Sequence, residues 1–146
     1  MYQRILVPLD GSAISDRALQ EALKLARQQG AQVRLAHAVE NVRFLDSEGF
    51  IDYAALQEVA QRSGEKILAR AKAAAQQAGI AAETTLLESG GERIENVIVA
   101  EAKRWPADLI VIGTHGRSGF SRLLFGSVAE GVVRGAPTPL LLIRGE

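Results

Sequence analysis

Four consecutive apolar residues, Leu109-Ile110-Val111-Ile112, constrain the fold of this 146-residue chain more than any other feature. Three of the four are β-branched, which favours a strand over a helix. An apolar strand without polar alternation has no face to offer water. It belongs inside a sheet covered on both sides, as parallel strands are. Parallel neighbours cannot be joined by tight hairpins; they need crossover segments, usually helices, with a right-handed return.

The rest of the chain supplies those crossovers, because strand-like and helix-like segments alternate from end to end. Ile5-Leu6-Val7 is a short apolar run leading into Pro8-Leu9-Asp10-Gly11-Ser12. Ser12 suits a helix N-cap, Ile14, Ala18, Ala22 and Leu25 follow at helical spacing, and Gly30 suits the stop. Gln32 to Val39 reads as a second strand. After a less regular stretch from Glu40 to about Phe50, a long alanine-rich helix runs to about Ala78 and is ended by Gly79. Ala82 to Leu87 reads as a third strand. Gly90-Gly91 then turns the chain into a helix carrying Ile94, Val97, Ile98 and Ala102, with Pro106 at its exit. The run at 109–112 is the fourth strand, a helix spans about Val128 to Arg134, and Pro139-Leu140-Leu141-Leu142-Ile143 forms the last strand. The expectation is one α/β domain over residues 1–146, a doubly wound five-stranded parallel sheet of order 3-2-1-4-5 with helices on both faces. Such sheets bind ligands at the carboxyl ends of their strands, where the winding reverses. Here the reversal falls between the first and fourth strands, whose loops begin at Asp10 and Gly113.

Composition removes several classes of function. Lys plus Arg and Asp plus Glu number 17 each, so the formal net charge is zero, and the basic excess that grips nucleic acid is missing. The absence of cysteine excludes disulfides, thiolate chemistry and zinc–thiolate sites. No stretch approaches the roughly 18 apolar residues of a membrane span. The apolar run near Met1 is too short for a secretory signal, so a cytoplasmic setting is expected.

The segment Gly113-Thr114-His115-Gly116-Arg117-Ser118-Gly119 sets three glycines at intervals of three behind the buried strand, and Gly126-Ser127-Val128 opens the last helix. Glycine reaches positive φ without strain and lets a ligand approach bare backbone. Successive amides and a helix N-terminus together make a concave anion site. The Ser127 hydroxyl and Arg117, with Arg122 as a weaker candidate, would add to it. A Walker loop is excluded because no lysine follows a glycine, and G-x-G-x-x-G is missing after the first strand. Asp10 ends that strand at the switch point, where it can meet a ribose or adenine, help hold Mg²⁺, or cap the helix near Ser12. His115 has no carboxylate partner in sequence and reads as part of the loop's shape. His37 reads as a satisfied histidine of the core or just behind the site. Two histidines so far apart offer no metal site. Trp105 reads as a packing residue, while Val42 to Tyr53, with Phe44 and Phe50, fits either a flap or a partner contact.

Gly113, Gly116, Gly126 and Ser127 together spell G-x2-G-x9-G-[ST], which resembles the ATP-binding signature of the universal stress protein family. The similarity spans essentially the whole chain. Residues 5–12 (ILVPLDGS) resemble that family's opening strand and turn, Leu35-Ala36-His37-Ala38-Val39 its second strand, residues 108–116 (DLIVIGTHG) its fourth, and Pro139 to Ile143 its last. The resemblance implies that Asp10 meets the nucleoside and that Ala38, where a larger aliphatic residue is common, lines the adenine pocket. It places Gly113, Gly116, Arg117, Gly126, Ser127 and Val128 around ribose and phosphates. The full candidate binding set adds Pro8, Leu9, Ile112, Thr114, His115 and Ser118, with no catalytic residue assigned and the metal question open. ATP, with or without Mg²⁺, is the implied ligand, and a homodimer through Leu140, Leu141, Leu142 and Ile143 the implied assembly. Three functions fit: a regulatory stress-response module acting on a protein partner, a slow ATPase or adenylate-handling enzyme, or an interaction module with a vestigial pocket. Phosphoryl transfer needs metal-holding carboxylates and a positioned nucleophile, which this sequence scarcely supplies, so at most weak hydrolysis is expected.

Overall fold

The alternation read from the sequence becomes nine elements in the computed structural model, which describes residues 1–41, 52–114 and 126–145. In chain order they are β1 (Arg4–Pro8), α1 (Ala13–Gln29), β2 (Gln32–Val39), α2 (Tyr53–Gln77), β3 (Glu83–Glu88), α3 (Ile94–Arg104), β4 (Leu109–Gly113), α4 (Ser127–Gly135) and β5 (Leu140–Ile143). The sheet order is β3-β2-β1-β4-β5 and every pairing is parallel. Ile5 lies beside Val33 on one side and Leu109 on the other, so β1 is central and the winding reverses between β1 and β4.

Two apolar layers explain why the central strands lack alternation. Ile5, Val7, Leu109 and Val111 point into a cluster with Ala18, Leu19, Ala22 and Leu23 of α1 and Leu68, Ala71 and Ala75 of α2. Their neighbours Leu6, Ile110 and Ile112 point the other way, against Ile98 and Ala102 of α3 and Val132 of α4. Both faces of β1 and β4 are thus buried, as a parallel sheet between helix layers requires.

Helix boundaries follow their caps. Ser12 Oγ accepts from the Ser15 N–H at 3.2 Å at the start of α1, and Gly30 ends it in the left-handed conformation at φ 67°. Asp52 caps α2 by accepting from the Ala55 N–H at 3.1 Å. Two strands start one residue later than expected, β3 and β5. Ala82 is buried in the core, but the β2–β3 register begins at Arg34 opposite Glu83. Pro139 has no N–H for a ladder; it lies just outside β5 and contributes only its carbonyl, which accepts from the Ile110 N–H at 3.1 Å. Of the expected flap or partner contact, Tyr53 opens α2, while Phe44 and Phe50 fall outside the described residues.

The amino end of the sheet carries an ion-pair network remote from the reversal loops. Glu101, 2% exposed, accepts from Arg34 Nη1 at 2.7 Å and Arg104 Nη2 at 2.6 Å. Arg34 also meets Glu83 at 3.1 Å and lies over the buried Trp105 ring at 5.0 Å. Burial opposes the Arg34 charge, but the hydrogen bonds and charges of Glu101 and Glu83 outweigh it and raise its pKa. Trp105 is a packing residue, as its sequence position indicates.

Candidate functional site

The site forms where β1 leaves the sheet. The Leu9 N–H donates to the Ala36 carbonyl at 2.8 Å, and beyond it Asp10-Gly11-Ser12 turns away into α1. Asp10 Oδ1 accepts from the Ser12 N–H at 2.9 Å, and Gly11 sits at φ 83°, a conformation that only glycine adopts without strain. Ser12, rather than Asp10, is the cap of α1; Asp10 fixes the turn in front of it.

That departure exposes the edge of β2. Ala36 directs its carbonyl to β1, whereas the Val39 carbonyl accepts from Ser89 beyond β3 at 3.0 Å. Backbone groups alternate sides along a strand, so the N–H and C=O of Ala38 point towards the lane β1 has vacated. No described backbone group pairs with them there.

At the end of β4, the Thr114 N–H donates to the Ile143 carbonyl at 3.0 Å, and the Thr114 carbonyl accepts from the Gly126 N–H at 2.5 Å. Residues 114 and 126 therefore lie side by side, and α4 begins at the mouth of the reversal. Gly126 caps α4 with no side-chain hydrogen bond, and among the described residues the first-turn amides, directed outward, have no capping partner. Thr114 is 2% exposed and, among the described residues, its Oγ1 has no hydrogen-bond partner.

The glycines differ from expectation in one respect. Gly126 has φ −62°, and Gly113 is not among the positive-φ glycines. A Cβ on Gly113 would stand 3.1 Å from both Ile14 Cγ1 and Cγ2, so glycine here admits α1 against β4.

These ends enclose a cleft of about 340 Å³, at the lower end of the range of roughly 300–1,000 Å³ common for small-ligand sites. Pro8, Leu9, Asp10, Ala38, Ile112, Gly113, Thr114, Gly126, Ser127 and Val128 all line it. Every described member of the candidate set therefore meets at one place; His115, Gly116, Arg117 and Ser118 lie outside the described residues, as does Arg122. Sequence reasoning missed Ile14, Ser15, Ala36, Glu40, Ile94, Ile98 and Ala129. Ile94 and Ile98 form an i, i+4 pair on α3 that reads as core, and nothing local marks their upper ends as a wall. A larger cleft of about 640 Å³ lies at the ends of β2 and β3 beside α2, lined by Asn41, Tyr53, Gln57, Gln61 and Glu88 among others.

Comparison with known proteins gives a consistent picture. The family model for the universal stress protein family matches residues 1–144. The chain is 37% identical over 144 residues to a universal stress protein of Thermus aquaticus, covering 99% of this chain and 100% of that one. It is 33% identical to one from Methanocaldococcus jannaschii, covering 99% and 83% respectively. Among solved structures, a universal stress protein family member from Burkholderia pseudomallei superposes with a TM-score of 0.81 at 32% identity, covering 97% and 96% of the two chains. A universal stress protein in complex with cAMP gives 0.73 at 28% identity, covering 97% of each chain. The Archaeoglobus fulgidus universal stress protein in complex with dAMP gives 0.69 at 26%, covering 97% and 98%.

Proposed function

The chain belongs to the universal stress protein family, and from that premise we propose that it is a cytoplasmic stress-response module that binds an adenine nucleotide, ATP foremost, in the β1–β4 cleft. One observation carries this reading. Main-chain groups stand open at both ends of a single cleft, at Ala38 and at the start of α4, with apolar walls between them. The Ala38 N–H and C=O offer one donor and one acceptor side by side, which suits the donor–acceptor edge of adenine. Leu9, Ala36, Ile94, Ile98 and Ile112 supply apolar surface for the base. The amides of Ser127 and Val128 and the Ser127 hydroxyl suit phosphate oxygens at a helix N-terminus. Asp10, held by its turn, is within the same cleft to meet a ribose hydroxyl.

The complexes of universal stress proteins with cAMP and dAMP support this choice of ligand class. ATP with or without Mg²⁺ fits the same arrangement, the triphosphate extending along α4's open amides. Binding rather than turnover is the reading favoured here, with weak hydrolysis at most, because the carboxylates lining the cleft among the described residues are Asp10 and Glu40 alone. Occupancy of the cleft would then regulate a protein partner. β5 pairs with β4 on one edge only, and Leu141 on it is 38% exposed; a homodimer would cover that edge.

Mass spectrometry of the natively purified protein should find a co-purified adenine nucleotide, and calorimetry with ATP, ADP and AMP should rank the ligands. Gly126→Val is the decisive variant. Its backbone, at φ −62° and ψ 154°, is open to valine, so the protein should fold. Its side chain crowds the phosphate approach, and affinity should fall at least about 100-fold, some 2.7 kcal/mol. A folded Gly126→Val protein that binds ATP like the parent would overturn the reading.

A further inference from the structure

A polar contact joins the floor of the cleft to the opposite face of the sheet. Leu9 is buried, and its carbonyl is the last backbone acceptor before the Asp10 turn. In a continuing parallel ladder its donor would be the Ala38 N–H, two residues beyond the Ala36 carbonyl that takes the Leu9 N–H. β1 has turned away by then. His37 Nδ1 lies 2.8 Å from the Leu9 oxygen instead, and because a carbonyl only accepts, Nδ1 carries the proton.

The ring is also held from behind. α2 crosses β2 at Gly64, which is buried. A Cβ on Gly64 would fall 2.6 Å from His37 Cδ2 and 3.2 Å from Nε2. The imidazole is therefore packed between the α2 backbone and the Leu9 carbonyl.

We propose that His37 is a positioning residue of the nucleotide cleft, an inference that rests on the reading of Ala38 as the edge that meets the base. By satisfying the Leu9 carbonyl, the imidazole does two things. It fixes the start of the turn that presents Asp10, and it keeps the Ala38 N–H out of the ladder and available to a ligand. Without the ring, the buried Leu9 carbonyl would seek the Ala38 N–H and close the edge on which the base depends.

The test compares His37→Leu, which removes the donor, with His37→Asn, whose Nδ2 stands as many bonds from Cα as the histidine Nδ1 and can donate in its place. With AMP as the probe in calorimetry, His37→Leu should raise Kd about tenfold, the loss of one hydrogen bond's net contribution. His37→Asn should stay within about threefold of the parent. Leu68→Ala, a core change under α2 away from the cleft, should lower Tm and leave Kd unmoved, separating positioning from general stability. Amide hydrogen exchange without nucleotide gives an independent readout. The Ala38 amide should exchange quickly in the parent and in His37→Asn, and slow markedly in His37→Leu. If the parent binds no adenine nucleotide, the proposed function fails, and the Ala38 exchange rates still decide the part played by His37. Parent-like affinity and unchanged Ala38 exchange in His37→Leu, or no rescue by His37→Asn, would overturn the inference. Should His37→Leu fail to fold, Gly64→Ala, which displaces the ring without deleting it, should show the same weaker binding and slower exchange; parent-like values in it would overturn the inference equally.

Discussion

Gly64→Ala sets two known effects against each other in one helix. In the interior of an exposed helix, replacing glycine by alanine stabilises by about 1 kcal/mol. At Gly64 the added methyl would lie 2.6 Å from His37 Cδ2 and 2.7 Å from Leu86 Cδ1, about 1 Å inside the usual carbon–carbon separation of roughly 3.5–4.0 Å. The two neighbours belong to adjacent strands, His37 of β2 and Leu86 of β3, paired in register. Leu86 has rotamers to spare. His37 is tied to Leu9 at 2.8 Å and moves only by giving up that bond, worth about 1 kcal/mol. Overpacking of this kind costs about 1–3 kcal/mol; added to the lost bond and set against the propensity gain, it leaves a net destabilisation of about 1–3 kcal/mol. Urea unfolding followed by circular dichroism should show a lower midpoint with an unchanged slope. A Gly64→Ala protein more stable than its parent would refute the reasoning, because it would mean that helix propensity and not the His37 contact sets the residue at 64.

Two further outcomes follow from other parts of the fold. Glu101→Ala leaves Arg34 and Arg104 without their shared buried carboxylate; because Arg34 keeps Glu83 and Arg104 is largely exposed, no buried charge is stranded and the loss should be that of charged hydrogen bonds, about 1.5–3 kcal/mol, read by urea unfolding, with a change under about 0.5 kcal/mol counting against the network. Leu141→Lys places a charge on the open edge of β5, and multi-angle light scattering at micromolar concentration should show the parent as a dimer and the variant as a monomer; a monomeric parent would remove the dimer from the proposal.

The layering of the fold was legible because it depends on coverage, a property of composition along a strand. A run such as Leu109 to Ile112 reports that both faces are buried, and the two clusters divide it residue by residue. Strand ends are less legible, since they depend on which backbone groups find partners. Ala82 looks like strand by its apolar side chain, which is indeed buried, yet the pairing starts one residue later. Most of the candidate site was legible for a different reason: its residues follow from the strand order, which brings the segments after β1 and β4 and the start of α4 together whatever the last residue of each strand. Ile94 and Ile98 are different. Their spacing says only that one face of α3 is apolar, and their place in the cleft follows from where α3 comes to rest on the sheet.

Gly113 marks the limit of reading a motif by its letters. A glycine in a phosphate-binding loop and a glycine that lets a helix approach look identical in sequence, and at 113 the nearest atoms to a Cβ are those of Ile14. His37 marks the same limit from the other side, since its partners, the Leu9 carbonyl and the Gly64 backbone, have no side-chain identity through which they could be recognised. Both cases share a cause. The groups proposed to hold the nucleotide are main-chain donors and acceptors, freed where β1 abandons β2 and where α4 starts at a glycine N-cap. A site of that kind requires side chains to be absent or turned aside more than it requires them to be charged. It therefore needs no surplus of lysine and arginine, which is why a chain with equal numbers of acidic and basic residues is compatible with a polyanionic ligand.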